Sequence, residues 1–451
     1  MGSTAHFWRL CSFLLLIGLC GRENCQALFG TRKCAPFRQN NFINTILSLS
    51  STECRESVKQ NPFRLTKRRK KLSTIQELQS QGFVASIHTI LSKDGYYSTI
   101  IRISGSLRSP PKLGKQAVLL LHGLGARGES WMIQPGNRNL AFILANGGYE
   151  VWLANLRGST QSLNHTRFNA KLNLSYWNFG FEEIAIFDLP QFVDLILKET
   201  GTDKLHLACH SSGCTIYLVG LSEFPELNDK FKSSFLLAPA AYLGHGYGPI
   251  AKLAVIIGTP LEQILFKLFG GRVTSETQGL ARALGFKGLH NFCEWSAIRC
   301  GLCERFHFAM FGADAPQFNY SDIANMVAKS QDNTGWKQLV HFGQNLLACG
   351  FNKYDFGRKR NLELYGMENP PQYELGRLKV PTYIFYGEAD NFITPRDLAK
   401  TRDAIPSTYM KGFHRVDWPL FNHVDFLMAK DADVLVYNKI LRTLNSLDSN
   451  S

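Results

Sequence analysis

The residues best placed to do chemistry lie in Leu205-His206-Leu207-Ala208-Cys209-His210-Ser211-Ser212-Gly213-Cys214-Thr215-Ile216, where an apolar run enters a serine and leaves it through small residues. A sharp strand-to-helix turn holds a serine Oγ clear of its own backbone, so that a histidine reaches it from one side and an acyl carbonyl from the other. The turn pattern is small-x-Ser-x-Gly, and Cys209 stands where glycine is usual. Ser212 is the rival nucleophile, but counting from it puts His210 and Cys214 at the two small positions, so Ser211 fits the register better. A serine hydroxyl needs a base to take its proton and an acid to hold that base in one tautomer. In chain order these follow the serine, acid first, each just past the end of a later strand. Asp390 closes Tyr383-Ile384-Phe385-Tyr386-Gly387-Glu388-Ala389, with Glu388 as the alternative acid. His423, in Phe421-Asn422-His423-Val424-Asp425-Phe426, is the expected base. Two backbone amides would hold the oxyanion, that of Ser212 after the nucleophile and that of Leu124 after His122-Gly123. The set predicts acyl transfer through an acyl-enzyme, with no metal and no cofactor.

The elements that must position these residues alternate between strand and helix. Phe83 to Ile90 and Tyr97 to Ile103 alternate around the Asp94-Gly95 turn signal and predict a hairpin. Ala117 to Leu121, Tyr149 to Asn155 and Leu205 to Cys209 are apolar runs without a polar face, as parallel strands buried on both sides require. A helical stretch, Glu182 to Lys198, separates the last two. The βαβ order predicts a doubly wound, mostly parallel sheet with helices on both faces. After Leu236-Leu237-Ala238-Pro239 the alternation breaks until Pro381, and the intervening segments read mainly as helices and loops. One of them starts at Thr259-Pro260 and carries an apolar stripe through Leu261, Ile264, Leu265, Leu268 and Phe269. An insertion above a catalytic turn predicts a helical cap or lid. The divisions expected are residues 1–27, 28–72, a core of 73–240, a cap of 241–375 and the rest of the core at 376–451.

The first residues read as a signal peptide: Arg9, an apolar run from Leu10 to Leu19, and a cleavage site after Cys25-Gln26-Ala27. Ten apolar residues are too few for a bilayer, which needs about 20, so no transmembrane segment is expected. The formal charge of +14 invites a nucleic-acid reading, yet residues 28–72 hold eleven Lys and Arg against Glu53 and Glu56. The remainder is close to neutral, which argues against nucleic acid as partner. The run Arg64-Leu65-Thr66-Lys67-Arg68-Arg69-Lys70-Lys71 fits a solvated linker, a processing site that releases a propeptide, or adhesion to an anionic surface. Asn164, Asn173 and Asn319 begin glycosylation sequons. Cys293, Cys300, Cys303 and His307 have a zinc-like spacing, although in an exported chain disulfides fit better. Cys34 and Cys54 are candidates to pair with each other, and Cys209, Cys214 and Cys349 are expected to be reduced and buried.

Five stretches together resemble the acid lipase family of gastric, lingual and lysosomal acid lipases, over Ser73 to about Leu444. They are Leu121-His122-Gly123-Leu124, Leu140 to Gly158, Phe181-Glu182-Glu183-Ile184 with Asp188-Leu189-Pro190, the serine turn, and Asn422-His423-Val424-Asp425-Phe426. The resemblance implies an α/β-hydrolase fold with an inserted cap and lid. It implies hydrolysis of neutral lipid esters, triacylglycerols or sterol esters, at a lipid-water interface, by a secreted or lysosomal enzyme. It assigns Ser211, Asp390 and His423 as triad, Leu124 and Ser212 as oxyanion residues, and a cap disulfide, for which Cys293 with Cys303 is preferred over pairings that use Cys300. The family turn reads Gly-His-Ser-Gln-Gly, so Cys209 and Ser212 are departures. They keep open a weakened, lipid-binding relative, and a short-chain carboxylesterase is the other alternative. Oligomeric state is not legible.

Overall fold

The computed structural model describes residues 73–246, 266, 271–274, 308, 311–319, 326, 329–330 and 332–449. The expected signal peptide, the basic segment, the Thr259 helix apart from isolated positions, Cys34, Cys54, Cys293, Cys300, Cys303 and His307 lie outside them. The chain enters through α1 (Thr74–Ser80), whose Ser73 caps the helix reciprocally with Gln76. The expected hairpin follows as β1 (Phe83–Leu91) and β2 (Tyr96–Ser106), antiparallel, with Gly95 at φ +98° in the turn. Then come β3 (Ala117–Leu121), α2 (Leu140–Asn146), β4 (Glu150–Asn155) and the short β5 (Asn164–His165). The helical stretch is α3 (Leu189–Thr200), entered through a π turn at Ile184–Asp188. Pro190 has no N–H to continue the regular ladder, and Leu189 donates five residues back to Ile184. The core continues with β6 (Leu205–His210), α4 (Ser212–Glu223) and β7 (Phe231–Leu237). A small ribbon of β8 (Arg272–Thr274) and β9 (Asn333–Gly335) leads to α5 (Trp336–Ala348). The chain ends with β10 (Thr382–Tyr386), α6 (Pro395–Ala404), β11 (Met410–Arg415) and α7 (Asn438–Ser449).

The main sheet runs β1-β2-β4-β3-β6-β7-β10-β11 and is parallel from β4 onward, with β2 antiparallel to β4. Side chains alternate across a strand, and the core divides accordingly. Leu119, Leu121, Leu207, Cys209 and Leu236 face one side, beneath Phe192 and Val193 of α3 and Ile216 of α4. Val118, Leu120, Ala208, Phe235 and Leu237 face the other, beneath Leu140 and Leu144 of α2 and Ile440 and Leu444 of α7. Asp448, near the end of α7, accepts from Tyr149 at 2.8 Å and Lys232 at 2.6 Å and meets His206 at 3.2 Å, tying the last helix to three earlier points of the sheet. Arg157 is buried between Asp94 and Asp188, with Nη2 to Asp94 at 2.9 Å and Nε to Asp188 at 2.9 Å. Among the described residues no helix is long and apolar enough to cross a membrane.

Candidate active site

The serine turn forms where the sequence predicts it, between the last residue of β6 and the first of α4. Ser211 has φ +53° and ψ −121°, in the left-handed region that a side chain disfavours. Its N–H donates to Leu237 O at 3.0 Å and its carbonyl accepts from Cys214 N at 3.0 Å. Gly213 permits the turn to lie against β3, since a Cβ there would stand 2.4 Å from Leu121 O and 2.6 Å from His122 O. Gly123 brings the loop after β3 close to the turn as well, less tightly, as a Cβ on it would meet the Ser211 Cβ at 3.2 Å. Leu124 therefore follows directly on the residue that touches the turn, and Ser212 opens α4.

Three strand ends bring the other residues together. Ser211 Oγ lies 2.8 Å from His423 Nε2, and His423 Nδ1 lies 2.8 Å from Asp390 Oδ2. The second oxygen of Asp390 accepts the N–H groups of Phe392 at 2.8 Å and Ile393 at 2.9 Å. The alternative acid, Glu388, is exposed and pairs with Arg415 at 3.1 Å, away from His423. The Phe392 ring stacks on the imidazole, 5.3 Å between centroids. The arrangement has what general-base activation of a hydroxyl needs: hydroxyl, imidazole and carboxylate in line, with the imidazole and carboxylate withdrawn from water.

Other residues support this line without having been assigned a role from the sequence. His210, the neighbour of the serine, donates Nε2–H to the His423 carbonyl at 2.8 Å, and burial pushes its imidazole down to about 3, so it stays neutral. His122 is likewise held neutral, its pKa lowered to about 4 by burial. Asp425 accepts from Asn422 N at 2.7 Å, and burial, with Asp314 beside it, raises its pKa well above the usual carboxylate range. Asp314 is held by Trp418 Nε1 at 2.8 Å. Asp332 fixes the loop after β3 from the far side: its N–H donates to Gly125 O at 2.5 Å, and its carboxylate accepts from Thr160 N at 2.9 Å. His210 was legible as a motif member, whereas Asp314 and Asp332 carry no local signal because they come from distant segments.

One expectation is overturned. Cys209 and Cys214 are joined as a disulfide, their Cα atoms 5.0 Å apart, and Cys349 is also disulfide-bonded. The turn reverses the chain, so a residue near the end of β6 faces one in the first turn of α4 at a separation within disulfide reach. Asn164 and Asn173 are exposed and Asn319 is half-buried. Among the described residues no cluster suits a metal ion.

Residues 116–257 match a family model for the alpha/beta hydrolase fold, and residues 74–135 match one for a partial alpha/beta-hydrolase lipase region. Lipase 3 of Drosophila melanogaster is 30% identical over 374 residues, 83% of this chain and 93% of its own. The chain belongs to the acid lipase family. Gastric triacylglycerol lipase of Bos taurus is 31% identical over 373 residues, 82% of this chain and 90% of its own. A Sulfolobus solfataricus protein of known structure, 16% identical, shares the fold at a TM-score of 0.52, with 84% of this chain and 98% of that one covered. This acid lipase is a carboxylic ester hydrolase on an α/β-hydrolase scaffold, and the five stretches that carry the resemblance divide between its site and its supports. Arg157 and Asp188, for instance, meet in the buried ion pair rather than near Ser211.

Proposed function

We propose that the chain hydrolyses neutral lipid esters, triacylglycerols or sterol esters, with Ser211 as nucleophile, His423 as base and Asp390 as orienting acid. The observation that carries the reading is the unbroken line from Ser211 Oγ through His423 to Asp390, 2.8 Å at each step. Asp390 keeps the Nδ1 proton engaged, which leaves Nε2 free to accept from the serine. Ser211 Oγ attacks the ester carbonyl, His423 takes its proton, and the negative charge on the former carbonyl oxygen falls to the Ser212 and Leu124 amides. The N-terminal end of α4 adds its partial positive charge there. His423 then returns the proton to the leaving alcohol, and water repeats the sequence on the acyl-enzyme. The export signal, the sequons and the gastric relatives support secretion or a lysosomal destination, and the resemblance supports work at a lipid-water interface.

Labelling with a fluorophosphonate tests the reading, because only an activated serine reacts. Ser211→Ala should abolish both labelling and hydrolysis of a long-chain ester while the fold persists. Retained turnover in that variant overturns the assignment. A series of esters of increasing chain length separates a lipid hydrolase from a short-chain esterase.

A further inference from the structure

The departure at Cys209 has a structural partner that the chemistry described so far leaves unused. Cys209 is the penultimate residue of β6 and Cys214 the third of α4, and both are fully buried. Their bond encloses His210, Ser211, Ser212 and Gly213, which are the base-loop anchor, the nucleophile, the expected oxyanion donor and the close-approach glycine. We infer that the Cys209–Cys214 disulfide is a positioning device for Ser211, holding the strained turn so that Oγ stays in line with His423 Nε2. The inference rests on the reading of Ser211 as nucleophile.

Three observations favour local positioning over general stabilisation. The cross-linked span is five residues, and so short a loop restrains the unfolded chain less than a long one would. The enclosed serine sits at φ +53°, a conformation that persists only where surrounding structure over-determines it. The other restraints on the turn are all noncovalent: Ser211 N to Leu237 O at 3.0 Å, Cys214 N, Ala240 N and Thr215 N to Ser211 O at 3.0, 3.3 and 3.4 Å, His210 Nε2 to His423 O at 2.8 Å, and the Gly213 contact with β3, so the disulfide is the covalent tie between the strand and the helix. Glycine under the turn, as in the family pattern, lets strand and helix approach without a link. Here the two sulfurs fill that space and fix the approach covalently.

The full-length protein, purified without reductant, tests this. Alkylation of the denatured, unreduced chain followed by peptide mapping should find Cys209 and Cys214 unmodified and linked. Cys209→Ala, Cys214→Ala and the double variant should each lower kcat on a soluble ester by about ten- to a hundred-fold, the range expected when a reacting atom is displaced by about 1 Å. KM should stay within about twofold, and the double variant should be no worse than either single, because each opens the same bond. The rate of fluorophosphonate labelling should fall in parallel with kcat. If the alanine variants fail to fold, Cys209→Gly with Cys214→Ser is read in the same way. Unchanged kcat with a lowered thermal midpoint would make the bond merely structural and overturn the inference, as would two free thiols in the unreduced protein. Failure of the parent reading looks different: Ser211→Ala would then keep wild-type turnover.

Discussion

Replacing Asp390 by asparagine exchanges a single oxygen for an NH2 group, and the structure dictates which one. One carboxylate oxygen accepts the N–H groups of Phe392 and Ile393 at 2.8 and 2.9 Å, and an amide nitrogen cannot accept either. The asparagine carbonyl must therefore stay there, which turns its NH2 toward His423 Nδ1, 2.8 Å away in the parent chain. Facing a donor, Nδ1 must become the acceptor, and the ring proton moves to Nε2. In that tautomer Nε2 cannot take the proton of Ser211. The expected loss is about 10⁴ in kcat, the effect of enforcing the wrong tautomer in a serine triad, equivalent to roughly 5 kcal/mol of barrier. Volume and both backbone hydrogen bonds are kept, so the thermal midpoint should move by only a few degrees. Steady-state hydrolysis of a soluble ester, with the fluorophosphonate rate alongside, measures the effect. A loss smaller than about tenfold would refute the argument, since Asp390 would then not be setting the tautomer. Glu388→Gln is the control and should stay within about twofold, because exposed pairs such as Glu388 with Arg415 contribute little.

Two further outcomes follow from the packing. Gly213→Ala places a methyl 2.4 and 2.6 Å from two backbone carbonyls that cannot yield separately, and it should destabilise the fold by about 1–3 kcal/mol or more and lower turnover, as urea unfolding and ester hydrolysis will show. His341 is buried, stacked on Phe181 and lowered by burial to about 4. An unfolded histidine takes up its proton near 6.5, so the folded chain binds fewer protons in between, and stability falls as pH drops from about 6.5 toward 4. His341→Gln should flatten that decline by about 1–2 kcal/mol between pH 6.5 and 5, and a curve parallel to the parent chain's would contradict it.

The strands and their order were legible because their side chains are uniformly apolar and their ends carry glycine and polar residues. Ser211, Asp390 and His423 could be singled out as candidates because open α/β sheets gather their ligand-binding groups at the carboxyl ends of the strands. The support beneath them was not legible. That His210 should grip the carbonyl of His423 depends on a strand end and a loop, 213 residues apart in sequence, meeting at a particular angle. Asp425 looks like an ordinary helix-start carboxylate until Asp314 arrives from the inserted segment to crowd it. Cys209 and Cys214 carry the same lesson in reverse. The turn at Ser211 between them is legible, yet whether two buried thiols meet across it depends on the angle at which the helix leaves the strand, and here their Cα atoms come to 5.0 Å.

The ties made by Asp448 bear on how the enzyme is made. Its contacts with Tyr149, His206 and Lys232 join the last helix to strands formed some two to three hundred residues earlier. His423 and β11 also belong to the final stretch of the chain. Synthesis proceeds from the amino end and early segments fold first, so a growing polypeptide carries its serine long before its base and closing helix exist. Such a chain has not yet brought the His423 imidazole to the Ser211 hydroxyl. The proposed line from Ser211 through His423 to Asp390 is therefore assembled only after β11 and the His423 loop have been made, some two hundred residues after the serine itself.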